Sequence, residues 1–184
     1  MNGYSLKNAI SISDHFLGKI GSRISLVEYG SYECPYTKQN QVILDKIISY
    51  FSFEICFAFR HFPNKRRHRH AFAASMAAEA AHLQGRFWDM HKALMDTHAE
   101  LNTENIFNIA RHVGLDIKTF LYDLEDPKIS TIVEKYIQEA NVSGVKKTPT
   151  IFINNHTLTG LVHFDHLREI IEDDLENSNL SLSL

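Results

Sequence analysis

A cysteine followed by a proline stands in EYGSYECPYTKQN, residues 28–40, after an apolar run and before a helical pattern. Cys34 is thereby placed at the first turn of a helix, where free backbone N–H groups and the helix dipole stabilise an anionic sulfur. A cysteine attacks disulfides only as the thiolate, and such positions lower the thiol pKa from about 8.5 to roughly 3.5–7.5. These residue types predict a reactive thiol. The alternative is an inert, partly buried cysteine at a strand-to-helix turn.

The other cysteine of the chain, Cys56, lies inside FEICFAF, a stretch with the composition of a buried strand. A free cysteine in such a strand behaves as a small apolar side chain. A disulfide requires Cα atoms within about 7 Å and suitably directed side chains, so Cys56 is a poor partner for Cys34. We therefore expect Cys34 to form a mixed disulfide that only a thiol from another molecule can release.

The elements that position Cys34 follow from the hydrophobic pattern. The stretch 24–29 is apolar on both faces apart from the acidic Glu28, and the stretch 53–59 is β-rich and largely apolar. Both patterns predict strands in the middle of a sheet. Pro35 suits the first turn of a helix. Apolar residues then recur at helical spacing: Val42, Ile43, Ile47, Ile48 and Phe51. Strand, helix and strand within about 35 residues predict a βαβ unit with parallel strands and a right-handed crossover.

The pattern then changes to helices and returns to strands. Residues 64–141 predict an all-helical block of about five helices. Polar residues able to cap helices precede three of them: Asn102 or Thr103, Asp116 and Asp126. TPTIFIN and HTLTG, separated by two asparagines, predict a hairpin, and HLREIIEDDL predicts the last helix. The polar tail, residues 176–184, is expected to fray.

Composition limits the classes of function. The 184 residues are 44% hydrophobic and carry a net charge of −3, so no overall field favours nucleic acid or an anionic membrane surface. No stretch approaches the roughly 18 apolar residues of a membrane span. The amino terminus lacks the apolar core of a secretory signal. We expect a cytoplasmic protein if Met1 is the natural start, and a periplasmic one if a leader has been removed.

Three stretches carry a resemblance to a known family. SDHFLGKIGSRISLVEYGSYECPYT, FRHFP followed by HRHAFAASMAAEAAHLQGRFWDMHKAL, and GVKKTPTIFINN resemble, in order and spacing, segments of DsbA-like proteins of the thioredoxin superfamily. The match covers roughly residues 14–175. It implies an α/β, thioredoxin-like fold with an inserted all-helical domain (βαβ, helical insert, ββα). Residues 14–63 and 142–178 would form the thioredoxin-like domain, and 64–141 the insert.

The resemblance also implies roles for individual residues. The family's Cys-Pro-x-Cys site reads Cys34-Pro35-Tyr36-Thr37 here, so the second sulfur is replaced by a hydroxyl that we expect to donate to the Cys34 thiolate. Thr148-Pro149 matches the cis-proline loop, which faces the cysteine and binds substrate together with Pro35 and Tyr36. Glu28 matches an acidic residue beneath the site that is thought to relay protons. The alternative for Glu28 is a carboxylate at the end of the strand that either reaches solvent or contacts a lysine.

The function implied is thiol–disulfide exchange at a single cysteine, reducing or isomerising disulfides of proteins or peptides. Glutathione is expected as a co-substrate, and no tightly bound cofactor is expected. The same single thiol is also compatible with a redox-sensor function. Two further alternatives are a glutathione transferase-like enzyme, in which Thr37 activates the sulfur of glutathione, and a non-catalytic peptide-binding module. An oxidase that stores an internal disulfide is excluded by the single active-site cysteine.

Basic residues and histidines give weaker signals. The run KRRHRH, residues 65–70, has the charge to contact phosphates or the carboxylates of glutathione, but a solvated loop is the more common structure for such a run. His61, His68 and His70 lack the cysteine or paired carboxylates that complete a metal site, so no metal is expected; the resemblance implies that they cap or brace the insert. The histidines on predicted helices are expected at the surface or as caps: His82, His91, His98, His112 and His166.

Overall fold

The structure, a computed structural model, describes residues 5–182 and contains a five-stranded sheet in the order β1-β3-β2-β4-β5. The strands are β1 (His15–Leu17), β2 (Ile24–Gly30), β3 (Ile55–His61), β4 (Thr150–Ile153) and β5 (His156–Thr159). Strands β2 and β3 pair in parallel, and the other neighbours pair antiparallel. The predicted βαβ unit is confirmed, and the parallel strands bring their carboxyl ends to one edge of the sheet.

The helices account for most of the remaining chain. They are α1 (Pro35–Tyr50), α2 (Ala71–Leu83), α3 (Phe87–Asp96), α4 (Thr103–Val113), α5 (Ile117–Leu124), α6 (Pro127–Val142) and α7 (Phe164–Leu182). Side chains of Asn102, Asp116 and Asp126 accept backbone N–H groups at the starts of α4, α5 and α6, so Asn102 rather than Thr103 caps α4. No helix within residues 5–182 has the length and apolar character needed to cross a membrane.

The sheet has a buried core on each face, which explains why its central strands are apolar throughout. On one face, Leu26, Phe57 and Phe59 belong to the large core that includes residues of α1 to α5 and α7. On the other face, Val27 and Ala58 pack in a smaller core with residues of α6 and the segment before β1. The thioredoxin-like α/β fold with helices inserted between β3 and β4 is thus confirmed.

Two element boundaries differ from the prediction. Strand β3 begins at Ile55 rather than at Phe53, because the Glu54 and Ile55 N–H groups both donate to the Phe51 carbonyl and leave Phe53 almost fully exposed. The expectation of a frayed tail is wrong for residues 176–182, which continue α7. Arg23 from the loop before β2 reaches this helix and donates to the Leu175 carbonyl. Residues 183–184 lie outside the described part of the chain.

Candidate active site

Cys34 occupies the residue immediately before α1, at the edge of the sheet where β2 and β3 end. Its backbone is extended, with φ −82° and ψ 117°, and Pro35 is the first residue of the helix. The Cys34 N–H donates to the Ser31 carbonyl at 3.0 Å, and the Cys34 carbonyl accepts the Lys38 N–H at 3.1 Å. The sulfur therefore lies at the amino end of a 16-residue helix, where free backbone N–H groups and the helix dipole concentrate positive partial charge.

The loop before β4 faces this sulfur. Cys34 Sγ donates to the Thr148 carbonyl oxygen at 3.4 Å, although 114 residues separate them in the chain. The Thr148–Pro149 peptide bond is cis. The Pro149 carbonyl accepts the Gly160 N–H at 3.0 Å, which ties the loop to the end of β5. The cysteine and the proline loop, identified separately in the sequence, thus form one site.

A cleft of about 880 Å³ opens at this site and includes Cys34 in its lining. The Cys34 side chain is only 5% exposed, but it lies at the wall of the cleft and contacts a polar carbonyl rather than hydrocarbon alone. Pro35, Tyr36 and Thr148 line the same cleft, and Tyr36 is half exposed at its rim. Pro149 is buried behind the Thr148 carbonyl and does not line the cleft. The space is of a size typical of ligand pockets.

Thr37 does not make the hydrogen bond that we expected from the sequence. Its side chain is fully buried, and its Oγ1 accepts the Ser31 N–H at 3.4 Å. No hydrogen bond joins this hydroxyl to Cys34 in the part of the chain that the structure describes. Its methyl group packs beneath Gly30, where an added Cβ would come within 2.8 Å of Thr37 Cγ2. Thr37 therefore supports the turn that carries the sulfur, because α1 directs this position inward.

Glu28 is buried, which excludes the alternative of a strand-end carboxylate that reaches solvent. It lies on β2 between Phe59 on β3 and Ile151 on β4, and its side chain has no exposed surface. Within residues 5–182, neither carboxylate oxygen has a hydrogen-bond partner. Burial, reinforced by the negative charge of Asp45, raises the pKa of Glu28 to about 8. The carboxyl group is therefore protonated at neutral pH.

Cys56 is far from the site. It pairs with Ser25 near the start of β2, and it belongs to the core on the sheet face opposite Phe57. Five residues of strand separate Ser25 from Gly30, which corresponds to about 16 Å, and Cys34 lies beyond that end. Both cysteines are free thiols, and burial raises the pKa of Cys56. A disulfide between Cys34 and Cys56 is incompatible with this geometry.

A buried chain of polar groups begins at the turn before Cys34, and sequence reasoning missed it. Tyr32 Oη lies 3.1 Å from His91 Nδ1, and His91 Nε2 lies 3.1 Å from Gln41 Oε1. Gln41 Nε2 in turn donates to Asp45 at 2.8 Å. His91 is 1% exposed, so our placement of it at the surface was wrong. Its position on the apolar face of α3, with Met90 and Leu94, was the available signal.

A second buried cluster connects the insert to the sheet. His15 on β1 and His61 on β3 both place Nε2 3.0 Å from Glu79 Oε1 on α2. The His15 contact is a hydrogen bond, whereas the His61 contact lies outside hydrogen-bond geometry. His61 therefore braces the insert electrostatically. Among residues 5–182, no group of three or more His, Cys, Asp or Glu side chains is arranged to hold a metal ion.

The basic loop lies closer to the site than we expected from the sequence. Arg67 and His68 of this loop line the Cys34 cleft, and Lys146 and Lys147 line it from the segment before Thr148. The loop is solvated, as expected, but it also forms one side of the cleft. The lysine pair was missed because nothing in the local sequence indicates that residues 146–147 and the basic loop meet.

Curated relatives match only part of their own length. The chain is 34% identical over 143 residues to a Na⁺/H⁺ antiporter NhaA 1 of Mycolicibacterium vanbaalenii, covering 77% of this chain and 23% of that protein. It is 30% identical over 167 residues to an antiporter of the same name from Salinispora arenicola, covering 91% of this chain and 26% of that protein. The chain thus spans about a quarter of the length of these relatives, and the antiport activity in their name is said of those proteins.

Solved structures match the whole fold. BdbD from Bacillus subtilis superposes with a TM-score of 0.80 at 25% identity, covering 96% of this chain and 100% of that chain. A thioredoxin-like oxidoreductase from Silicibacter pomeroyi gives 0.80 at 24% identity, covering 92% and 94%. The thiol–disulfide exchange protein alpha-DsbA2 from Wolbachia pipientis gives 0.79 at 21% identity, covering 88% and 87%.

The family model Thioredoxin_4, described as thioredoxin, matches residues 11–173, which include the cysteine turn, the helical insert and the cis-proline loop. The family model, the fold and the geometry of the site therefore agree with the resemblance inferred from the sequence. The chain belongs to the DsbA-like proteins of the thioredoxin superfamily.

Proposed function

We propose that this chain is a thiol–disulfide oxidoreductase that acts through the single sulfur of Cys34 and depends on an external thiol, with glutathione as co-substrate. The observation that carries the proposal is the position of Cys34 Sγ, at the amino end of α1 and 3.4 Å from the Thr148 carbonyl, in the wall of an open cleft. Family membership supports thiol–disulfide chemistry. The distance of Cys56 and the hydroxyl at Thr37 support the single-sulfur form.

The first step is attack of the Cys34 thiolate on a substrate disulfide. A bond forms between Cys34 and one substrate sulfur while the substrate S–S bond breaks, and the departing thiolate takes up a proton. One glutathione thiolate attacks the Cys34 sulfur, which releases the substrate thiol and leaves Cys34 bound to glutathione. A second glutathione attacks the glutathione sulfur, restores Cys34 and yields glutathione disulfide. The two glutathione molecules supply both electrons.

Two neighbouring groups assist this chemistry in the proposal. A substrate chain lies in the cleft beside Thr148, where exposed backbone can pair with it as an added strand. Glu28, with its pKa raised to about 8, holds a proton near neutral pH and can exchange it as thiol and thiolate interconvert. Thr37 holds the turn in place rather than contacting the sulfur.

Insulin reduction tests the proposal. We expect turbidity from the released insulin chains to develop rapidly only when wild-type protein and glutathione are both present, and slowly with glutathione alone. Cys34→Ser is expected to reduce the rate at least 100-fold, to that of glutathione alone, because no other described thiol lines the cleft. Cys56→Ala is the matched control and is expected to keep the wild-type rate.

The alternatives give different results in the same assays. Activity of Cys34→Ser equal to wild type would contradict the proposal. Conjugation of glutathione to chlorodinitrobenzene that survives Cys34→Ser would indicate a transferase. Binding of reduced insulin without turnover, in both wild type and Cys34→Ser, would indicate a peptide-binding module.

A further inference from the structure

Two separate segments place cationic side chains around the sulfur. Arg67 and His68 line one part of the cleft, and Lys146 and Lys147 line another, with Cys34 in the same cleft. The lining contains no Asp or Glu, although the chain as a whole carries a net charge of −3. The cleft is therefore a local positive region on an acidic protein.

Hydrogen bonds hold both segments against the rest of the site. The His70 N–H donates to the Glu33 carboxylate at 2.8 Å, which ties the basic loop to the turn before Cys34. The Thr150 hydroxyl donates to the Lys147 carbonyl at 2.8 Å, which ties the lysine pair to the start of β4. The backbone that carries these cations is thus fixed relative to the sulfur.

Arg67, Lys146 and Lys147 differ from other cations of the described chain in their ion pairing. Lys65, in the same basic loop, pairs with Glu134, and the buried Arg60 pairs with Asp14. By contrast, within residues 5–182 neither Arg67 nor the Lys146–Lys147 pair forms an ion pair. Their charge is therefore available to a ligand in the cleft.

We infer that the cleft selects thiol and disulfide substrates that carry carboxylates close to the reacting sulfur. This inference rests on the proposed function, because it names the substrate class of the same site. Opposite charge raises the local concentration of such a substrate and its rate of association, by tenfold or more at low salt. Acidic polypeptide segments flanking a cysteine share this chemistry with glutathione, whose carboxylates lie near its thiol.

Peptide disulfides with a chromogenic leaving group test the inference. Three peptides carry a cysteine as its pyridyl disulfide, flanked on both sides by glutamate, by glutamine or by lysine. Attack by the Cys34 thiolate forms the Cys34–peptide disulfide and breaks the S–S bond to the pyridyl group, which leaves as the neutral, absorbing thiopyridone. Stopped-flow absorbance gives the second-order rate constant for each peptide. The glutathione pyridyl disulfide is the fourth substrate.

With wild-type protein at low ionic strength, the glutamate peptide is expected to react about tenfold faster than the glutamine peptide, and the lysine peptide more slowly than both. This ratio is expected to fall below about twofold in roughly 0.5 M salt, since exposed charges are then screened. The ratio of the two rates is the readout because a change in the Cys34 pKa affects both rates equally.

Variants that remove positive charge show which lysines produce the preference for the glutamate peptide. Lys146→Gln with Lys147→Gln is expected to reduce the glutamate-to-glutamine ratio at least threefold. The matched control, Lys118→Gln with Lys128→Gln, removes the same charge from exposed positions on α5 and α6 that do not line the cleft, and is expected to keep the wild-type ratio.

The outcomes separate this inference from the proposed function. No reaction with any peptide would overturn both. Equal rates for the three peptides and the glutathione disulfide, or a ratio that both double variants lower equally, would overturn carboxylate selection and leave the reactive thiol in place. A preference for the glutamate peptide assigns the cleft to acidic polypeptides. A preference for the glutathione disulfide alone assigns the carboxylates to glutathione.

Discussion

Two buried carboxylates of this protein have opposite electrostatic states. Glu28 on β2 has no hydrogen-bond partner among residues 5–182, and burial followed by the charge of Asp45 raises its pKa to about 8. For Glu79 on α2, burial also acts to raise the pKa, but the imidazoles of His15 and His61 outweigh it and lower the pKa to about 2. The same side chain is therefore neutral at one position and ionised at the other at pH 7.

The difference teaches that partners, rather than burial, decide the charge of these groups. An isolated buried carboxylate keeps its proton, because the low-dielectric interior disfavours the anion. A buried carboxylate between two imidazoles is stabilised as the anion, and it joins the helical insert to β1 and β3. Glu28 is thus neutral near pH 7, whereas Glu79 is a buried anion that joins three elements.

The largest expected effect is at Glu79. Glu79→Ala leaves the buried imidazoles of His15 and His61 without the carboxylate that both contact, and we expect the free energy of unfolding to fall by about 3–5 kcal/mol. Urea denaturation monitored by circular dichroism at pH 7 measures this change. Asp89→Ala, which breaks an exposed pair with Arg86, is the control and should cost less than about 1 kcal/mol. A similar loss in both variants would contradict the comparison.

The second prediction concerns Glu28 and has a definite sign. Folded Glu28 keeps its proton up to about pH 8, whereas the unfolded chain releases it near the ordinary glutamate pKa of 4.5. The folded state thus binds more protons between these values, so the Glu28 contribution to stability is fully present below pH 4.5 and is lost as pH rises towards 8. In Glu28→Gln this position has no ionisable group, so the stability of the variant lacks this pH dependence.

We therefore expect the stability of Glu28→Gln relative to wild type to increase by roughly 3 kcal/mol from about pH 5 to about pH 7.5. Urea midpoints measured across this range for both proteins give the difference directly. A difference that stays constant over the range would show that Glu28 ionises with an ordinary pKa, and the contrast with Glu79 would then disappear.

The smallest expected effect is at Asp45, which is exposed and accepts a hydrogen bond from Gln41. Asp45→Asn keeps an acceptor for Gln41 but removes the charge that helps to raise the pKa of Glu28. We expect a gain in the free energy of unfolding of roughly 0.5 kcal/mol near pH 8. The gain should be absent in the Glu28→Gln background, as a double-mutant cycle would show. Equal gains in both backgrounds would exclude coupling between the two carboxylates.

Much of the fold was predictable because its signals are local. Alternating and continuous apolar patterns predicted the βαβ unit, and Asp116 and Asp126 cap helices where their positions indicated. The start of β3 was placed two residues early, since the apolar Phe53 belongs to the turn after α1 and is exposed there. Composition alone does not distinguish an apolar residue in a turn from the first residue of a strand.

The site was predictable in part. The residue pattern indicated that Cys34 precedes a helix and that Thr148-Pro149 opens a strand. That the two face each other, with the sulfur 3.4 Å from the Thr148 carbonyl, was implied only by the family resemblance. The position of His91 on the apolar face of α3 was a signal for burial, but nothing in the sequence indicated that its partner would be Tyr32.

Residue types and their spacing along the chain were enough to specify the order of elements, the helix that begins after Cys34 and the presence of one cysteine in the turn before that helix. Tertiary structure alone decided which charges meet. It isolated Glu28, surrounded Glu79 with imidazoles, and brought the basic loop and Lys146–Lys147 into one cleft. Electrostatic energies depend on distance and on burial in space, and neither quantity can be read from separation along the chain.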